Sequence, residues 1–335
     1  MPSAPSETSK LAVVFGGTGF IGRHVVRALA RRGWRVRVAA RRPDLAGFLQ
    51  PLGGVGQIQF VQANLRYPSS IRAALRGADS AVNATGIQSQ RGAQNFEAAH
   101  VFGPREIARA AKAEGLAALV HVSGLGADPS SASAYVASKG RGAAALRESF
   151  PEATILEPSV VFGAEDDFLT RIAALARFLP VLPLFGGGLS RIQPVFAGDV
   201  GRAAAIALDA VGAKGVSYEL GGPEVMTLRE AMEFTLRAIG RHRALLPLPF
   251  AASLAMARAT EIAGVLTLGL FPKILTTTRD QIELLRHDNV VSDAAVAQRR
   301  TLADLGVEPQ GLEALAPAFL ARFCRTGQFA ANLPR

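Results

Sequence analysis

Cysteine is nearly absent: Cys324 stands alone in 335 residues. That excludes an internal disulfide and a thiolate-built metal cluster, and it fits a reducing compartment. Histidine is scarce, and His24, His242 and His287 have no partners at metal-ligand spacing, so no metal is expected. Long apolar runs are missing too. The most apolar stretches, residues 244–256 and 262–271, are broken up by Pro247, Pro249, Arg258 and Glu261, which rules out a bilayer span. They are left either to cover a substrate pocket or to lie in a membrane interface. The first ten residues form a polar tail, without the apolar segment of a secretory signal and too poor in arginine for an organellar presequence.

Acid is short in one region. Between Arg23 and Arg42 lie eight arginines and no carboxylate, within a chain of net charge +10. Arg23, Arg27 and Arg31 fall four apart, on one face of a helix. The stripe reads as a solvated face, as a partner surface, or as a contact with anionic lipid headgroups. Nucleic acid is not expected, because no binding motif and no interleaved aromatics accompany the charge.

Hydrophobic residues make up 49% of the chain, enough for one large α/β domain with a smaller appendage. The most informative segment is Leu11-Ala-Val-Val-Phe-Gly16-Gly17-Thr18-Gly19-Phe20-Ile21-Gly22, a buried strand running into a glycine turn that opens a helix. Gly16 permits the tight turn, Gly19 lets the backbone approach a pyrophosphate, and Gly22 allows close helix packing. The N–H groups at Thr18, Phe20 and Ile21 and the positive helix end favour phosphate. Strands follow near residues 34–40, 58–62, 80–84, 118–122 and 153–156, with helices near 21–32, 70–75, 97–114 and from 135 onward. This alternation predicts a Rossmann-type, doubly wound parallel sheet. Residues 1–163 are expected to form the dinucleotide-binding domain, its sheet completed near 190–222. Residues 164–335 are expected to form a smaller, mostly helical substrate or interaction subdomain. Residues 181–188 read as a loop, Glu165-Asp166-Asp167 as an acidic helix cap, Asp199 as the cap of a helix over 200–208, and Thr227 to Glu230 as a capping box.

At the end of the second strand stands Ala39-Ala40-Arg41-Arg42, without the carboxylate that would hold the ribose hydroxyls of NAD(H). Arg41 and Arg42 suit a 2′-phosphate, so NADP(H) is expected over NAD(H). Asn64 and Leu65 are placed to meet the adenine edge, and Ala84, Thr85 and Gly86 to line the path from adenosine to phosphate. The fifth strand ends at Ser123, and Tyr135 and Lys139 follow four apart on one helical face. The ammonium favours phenolate and prepares Tyr135 for acid–base work, while Ser123 would hydrogen-bond a carbonyl or alcohol. His121, one turn of strand earlier, reads as a packing residue.

These motifs resemble the short-chain dehydrogenase/reductase superfamily in its extended or atypical form. The resemblance rests on residues 16–22, Ser123, Tyr135, Lys139 and Glu157-Pro158-Ser159-Val160-Val161-Phe162-Gly163, and it adds Pro158 and Val160 to the expected cofactor contacts. Within that superfamily the chain is similar to bacterial relatives of the Rossmann-type accessory subunit of respiratory complex I. The matching text is His121-Val-Ser-Gly-Leu-Gly-Ala-Asp128, Phe162-Gly-Ala-Glu-Asp-Asp-Phe168, Gln193-Pro-Val-Phe-Ala-Gly-Asp199, Tyr218-Glu-Leu-Gly-Gly-Pro223 and the run from Thr278 to Val290.

The resemblance implies a tightly held NADPH and an accessory or assembly role beside the ubiquinone site of NADH:ubiquinone oxidoreductase. Complex I subunits and an anionic membrane surface would be the partners, on the cytoplasmic face of a bacterial inner membrane. The rival expectation is an active oxidoreductase or epimerase on an apolar, quinone- or isoprenoid-related substrate, using Ser123, Tyr135 and Lys139. Three departures from extended reductases stand out: Asn64 in place of Asp, Glu157 in place of Arg, and His100 in place of Asn. The last two weaken the case for turnover and leave cofactor binding intact.

Overall fold

The computed structural model describes residues 10–90, 92, 94–267, 272, 275–325 and 327. The polar tail before Lys10 and much of the apolar run 262–271 lie outside them. In chain order the strands are β1 (Leu11–Phe15), β2 (Arg35–Ala40), β3 (Ile58–Gln62), β4 (Ser80–Asn83), β5 (Ala118–Val122), β6 (Thr154–Pro158) and β7 (Val161–Phe162). Then come β8 (Val181–Phe185), β9 (Arg191–Ile192), β10 (Val195–Phe196), β11 (Ser217–Leu220), β12 (Met226–Thr227) and β13 (Ala244–Leu248). The helices are α1 (Phe20–Arg31), α2 (Pro68–Leu75), α3 (Gly103–Ala113), α4 (Ala134–Ser149), α5 (Leu169–Phe178) and α6 (Ala197–Ala207). They are followed by α7 (Leu228–Ala238), α8 (Phe250–Leu266), α9 (Arg279–Leu284), α10 (Asp293–Ala297) and α11 (Leu312–Leu320).

One compact unit gathers residues 1–158, 197–220 and 291–309. Its sheet has seven parallel strands in the order β11-β6-β5-β4-β1-β2-β3. The chain starts at the centre, moves outward through β2 and β3, then returns to the other side of β1 with β4. That reversal makes the β1/β4 carboxyl ends the switch point, where ligands of such sheets bind. Val25 and Leu29, fully buried, seat α1 on the sheet, while Arg27 and Arg31 face solvent. On the opposite sheet face Val13, Phe15, Ala81, Ile107, Leu119 and Leu146 share a core. The expected helix over 97–114 is not uniform. It begins as a wider π-helical turn at Glu97–Phe102 and tightens into α3.

The second unit comprises residues 159–196, 221–290 and 310–335. Its core joins Phe162, Ile172, Leu182, Leu184, Met232, Leu236 and Leu320. The Thr227/Glu230 capping box is present at α7. Asp166 accepts from the Phe168 and Thr170 N–H groups and so caps α5. Two local expectations fail. Residues 181–185, read as loop, form strand β8 against β13. Leu182 and Leu184 are buried, while Val181 on the other face is exposed. Pro183 hid this alternation, yet a two-stranded ribbon has free edges on which a missing N–H costs nothing. Asp199, in the first unit, does not precede its helix. α6 starts at Ala197, and Asp199 sits in its first turn, buried and paired with Arg202 at 2.8 Å. Among the described residues no helix is long and apolar enough to cross a membrane.

Candidate functional site

The strand–turn–helix at the switch point is built by glycines with separate tasks. Gly16 has φ +76°, and a Cβ there would stand 2.8 Å from the Ala84 carbonyl oxygen. A Cβ on Gly22 would lie 2.0 Å from the Gly16 oxygen, so α1 packs on the turn itself. Gly17, unassigned from sequence, is needed too: its Cβ would meet Val38 Cγ1 at 2.9 Å. Gly19 is exposed, and only the Gly16 oxygen lies near its Cβ position, at 3.2 Å. It is the N-cap of α1 and offers no side-chain cap, nor does the first turn contain an acid. Donors and the positive helix end are therefore open beside Thr18, Phe20 and Ile21, as a pyrophosphate requires. Arg23 adds a guanidinium over this turn, donating to the Thr18 and Gly19 carbonyls at 3.4 and 3.3 Å.

At the end of β2 the two arginines are unequal. Arg42 is tied to Asp44 at 2.8 Å, both exposed, whereas among the described residues Arg41 meets Gln94 Oε1, at 3.4 Å. The carboxylate missing from residues 39–42 thus arrives two residues later and engages one of the pair. After β3, Asn64 Oδ1 accepts from the Arg66 N–H at 3.2 Å, and Leu65 packs toward Gly103 and the core. Both side chains are occupied in shaping the loop. After β4, Asn83 is fully buried and its Oδ1 accepts from the Thr85 N–H at 3.1 Å. This holds Ala84, Thr85 and Gly86 over the glycine turn. A Cβ on Gly86 would stand 3.3 Å from Lys139 Nζ, so this loop runs from the turn to Lys139.

Ser133 caps α4 by accepting from the Val136 N–H, which sets Tyr135 and Lys139 in its first turns. Lys139 is buried, donates to the Ser123 carbonyl at 3.4 Å and lies 6.0 Å from the centre of the Tyr135 ring. Burial lowers its ammonium to about 8. The Ser123 hydroxyl is buried and has no hydrogen-bond partner among the described residues. Such an orphan is costly unless a ligand oxygen or water-like group completes it. The three expected catalytic residues are brought together, with the polar atom that would face a substrate left open.

Two histidines surround them. His100 Nε2 accepts from the Ile87 N–H at 3.0 Å, so its proton resides on Nδ1 and is donated to Ser138 Oγ at 2.8 Å. Ser138 in turn donates to the Tyr135 carbonyl at 2.7 Å. The ring stacks on Phe96 at 5.2 Å and meets Tyr135 edge-on at 5.5 Å. Burial, reinforced by Lys139, holds His100 down to about 3, so it is neutral. His121 is buried, receives Asn83 Nδ2 at 3.1 Å and leaves Nε2 without a partner. Burial first, then Lys139, lowers it to about 3 as well.

The close seat of α4 on the His100 turn depends on Gly142, whose Cβ would lie 1.7 Å from the His100 carbonyl oxygen. Sequence reading missed Gly142. Its signal was a glycine inside a helix, where one costs about 1 kcal/mol without a packing reason. Pro158 closes β6, and its carbonyl accepts from the Leu125 N–H at 2.9 Å. Val160 belongs to the second unit, where its carbonyl accepts from the Val195 N–H. Glu157 pairs in register with Glu219 on β11. Burial, then Glu219, pushes Glu157 up to about 7, with Arg147 opposing. No group of three His, Cys, Asp or Glu residues able to hold a metal occurs among the described residues.

A glycine turn at the switch point of a parallel sheet defines the class, a Rossmann-type nucleotide-binding protein. A family model described as NAD(P)H-binding matches residues 16–172. The mitochondrial NADH dehydrogenase [ubiquinone] 1 alpha subcomplex subunit 9 of Arabidopsis thaliana is 33% identical over 320 residues, covering 95% of this chain and 79% of that protein. A ceramide reductase of Caulobacter vibrioides is 36% identical over 174 residues, 52% of this chain and 53% of the reductase. Among solved structures, the NADPH complex of an NADPH-dependent quinone oxidoreductase from Escherichia coli shares the fold, with TM-score 0.69 at 20% identity. The match covers 92% of this chain and 99% of that one. The chain belongs to the family of complex I alpha subcomplex subunit 9, and residues 16–172 are its NAD(P)H-binding domain.

Proposed function

We propose that the first unit holds NADPH as a resident cofactor and that the protein serves complex I as an accessory or assembly component, peripheral to the cytoplasmic face of a bacterial inner membrane. The observation that carries this reading is His100. Both of its ring nitrogens are spent on internal hydrogen bonds, and its pKa of about 3 keeps it from relaying protons. The phosphate cradle, in contrast, is complete. Residues 16–22 would hold the pyrophosphate, Arg41 the 2′-phosphate, and the loops after β3 and β4 the adenosine. Ser123, Tyr135 and Lys139 would surround the nicotinamide end, with Pro158 as a further contact. Solubilised membranes separated by size should show the chain co-migrating with complex I, and NADPH should be released on denaturing protein purified without added nucleotide. Migration wholly apart from complex I would overturn the reading.

A second reading is favoured by the orphaned Ser123 hydroxyl. Bound NADPH supplies a hydride at nicotinamide C4. Ser123 would donate to the carbonyl oxygen of an apolar, quinone- or isoprenoid-related substrate, and Tyr135 would deliver the proton to that oxygen. Lys139, charged below about pH 8, would stabilise the phenolate left behind. With His100 closed, the replacement proton must reach Tyr135 from elsewhere. A reductase activity that falls by about a hundredfold or more in Tyr135→Phe, while NADPH stays bound, supports this reading. Unchanged activity removes it.

A further inference from the structure

The second unit carries a cleft of about 610 Å³ that the cofactor reading does not use. Arg229, Arg237, Arg241, His242 and Arg243 line it, against the single carboxylate of Glu233. Glu233 reaches only Arg229, at 3.9 Å. Two of the guanidiniums are positioned by backbone rather than neutralised. Arg241 Nε donates to the Phe323 carbonyl at 3.4 Å, and Arg243 Nε to the Ala176 carbonyl at 2.8 Å. Arg237 is exposed on the last turn of α7. Four guanidiniums held in a concave site against one carboxylate leave positive charge for an anion, and guanidinium forks match phosphate oxygens best.

The apolar lining of this cleft is Leu236 and Leu245, and the ribbon that continues from it turns its other face to solvent. Arg243 runs directly into β13, where Ala244 pairs with Val181 and Leu246 with Pro183. Residues paired in a parallel ribbon project to the same face, so these four form one apolar face. It is uncovered: Leu246 is 53% and Val181 42% exposed. Phe178, two residues beyond the carbonyl that Arg243 holds, is 76% exposed with Arg177 over its ring at 5.8 Å. A soluble phosphate ester would gain nothing from such a face. A headgroup still attached to its bilayer would, since the arginines meet the phosphates while the exposed apolar residues next to them in the chain meet the acyl boundary.

We infer that this cleft is a docking site for the phosphate headgroup of an anionic phospholipid in a membrane surface. The inference deepens the membrane-peripheral reading above, on which it rests, and moves the contact from the arginines of α1 to the second unit. The test is co-sedimentation of the full chain with vesicles of phosphatidylcholine alone, or mixed three-to-one with phosphatidylglycerol, over rising salt. Wild type should bind the mixed vesicles only, and binding should fall with salt. A cation at an anionic bilayer is worth about fivefold in affinity, so Arg237→Gln with Arg241→Gln should lose roughly 25-fold. Leu246→Asp should also weaken binding, whereas Arg27→Gln with Arg31→Gln should lose much less. Unchanged melting temperature and nucleotide content are the controls for fold. Arg237→Glu, at an exposed position, replaces the double variant if that one fails to fold.

Mixed-vesicle binding that survives the cleft variants, or that is lost instead with the α1 variant, overturns the site but not membrane attachment. Wild-type binding unaffected by Leu246→Asp overturns the bilayer as the source of the phosphate. Wild type that binds no vesicle yet co-migrates with complex I overturns the cleft and leaves the accessory reading standing.

Discussion

Gly22 illustrates how little room a dinucleotide turn allows. Its α-carbon faces the Gly16 carbonyl so closely that a methyl group would stand 2.0 Å from the oxygen. Gly22→Ala must therefore push α1 off the turn and misdirect the N–H groups meant for pyrophosphate. We expect a loss of about 1–3 kcal/mol in stability, typical of overpacking, together with loss of bound nucleotide. Melting curves and the nucleotide released on denaturation measure both. Full nucleotide retention in the variant would contradict the packing argument. His100 carries the opposite lesson. Its replacement of an asparagine was visible in the sequence, but which of its nitrogens remained free was not. Ile87 and Ser138 settle that, thirteen and thirty-eight residues away.

The carboxyl end of β2 shows how adjacent identical residues acquire different roles. Arg42 curls onto Asp44, and Arg41 extends toward Gln94. A charge-assisted bond to a 2′-phosphate is worth about 1.5–3 kcal/mol. Arg41→Ala should thus weaken NADPH at least tenfold while leaving NADH unchanged, and Arg42→Ala should discriminate far less. Binding titrations with the two nucleotides decide this, and equal losses of NADPH in both variants would place the phosphate elsewhere. The elements of the sheet, the glycine turn and the Tyr135/Lys139 helix were all legible in the sequence, because buried strands and helical spacing are written in neighbouring residues. Strand β8 was not legible. Its five residues contain a proline, and their partner β13 lies about sixty positions away with a proline of its own. The basic cleft was equally hidden, since Arg229, Arg237 and Arg243 are unremarkable until α7 and the ribbon converge.

Across the first unit, buried titratable groups couple the fold to pH. His100 and His121, held near 3, take up protons in the unfolded chain below about 6.5 while the fold does not. The stability they contribute is complete above that point and is lost as pH falls toward 3. Glu157 runs the other way: raised to about 7 from 4.5, it stabilises the fold below 4.5, and that contribution is lost as pH rises through 7. Between 4.5 and 6.5 two protons oppose one, so these groups make stability fall on acidification by about 1.4 kcal/mol per pH unit. Lys139, lowered to about 8 from 10.5, adds stability as pH rises between those values. Melting temperature against pH checks the sequence of slopes. Glu157→Gln should raise stability by about 3 kcal/mol at pH 8 and hardly at all at pH 4.5. An equal effect at both would refute the raised titration of Glu157.

What could be read from residue order alone was whatever lies within one strand, turn or helix: the phosphate cradle of residues 16–22, the Ser123 strand end, the four-residue spacing of Tyr135 and Lys139, and hence a reductase-like nucleotide fold. Periodicity and covalent spacing carry that information without help from distant parts of the chain. The closure of His100, the facing carboxylates of Glu157 and Glu219, and the arginine cleft beside an apolar ribbon each join segments remote in sequence. Burial and charge at those places depend on which surfaces meet, and packing alone establishes that.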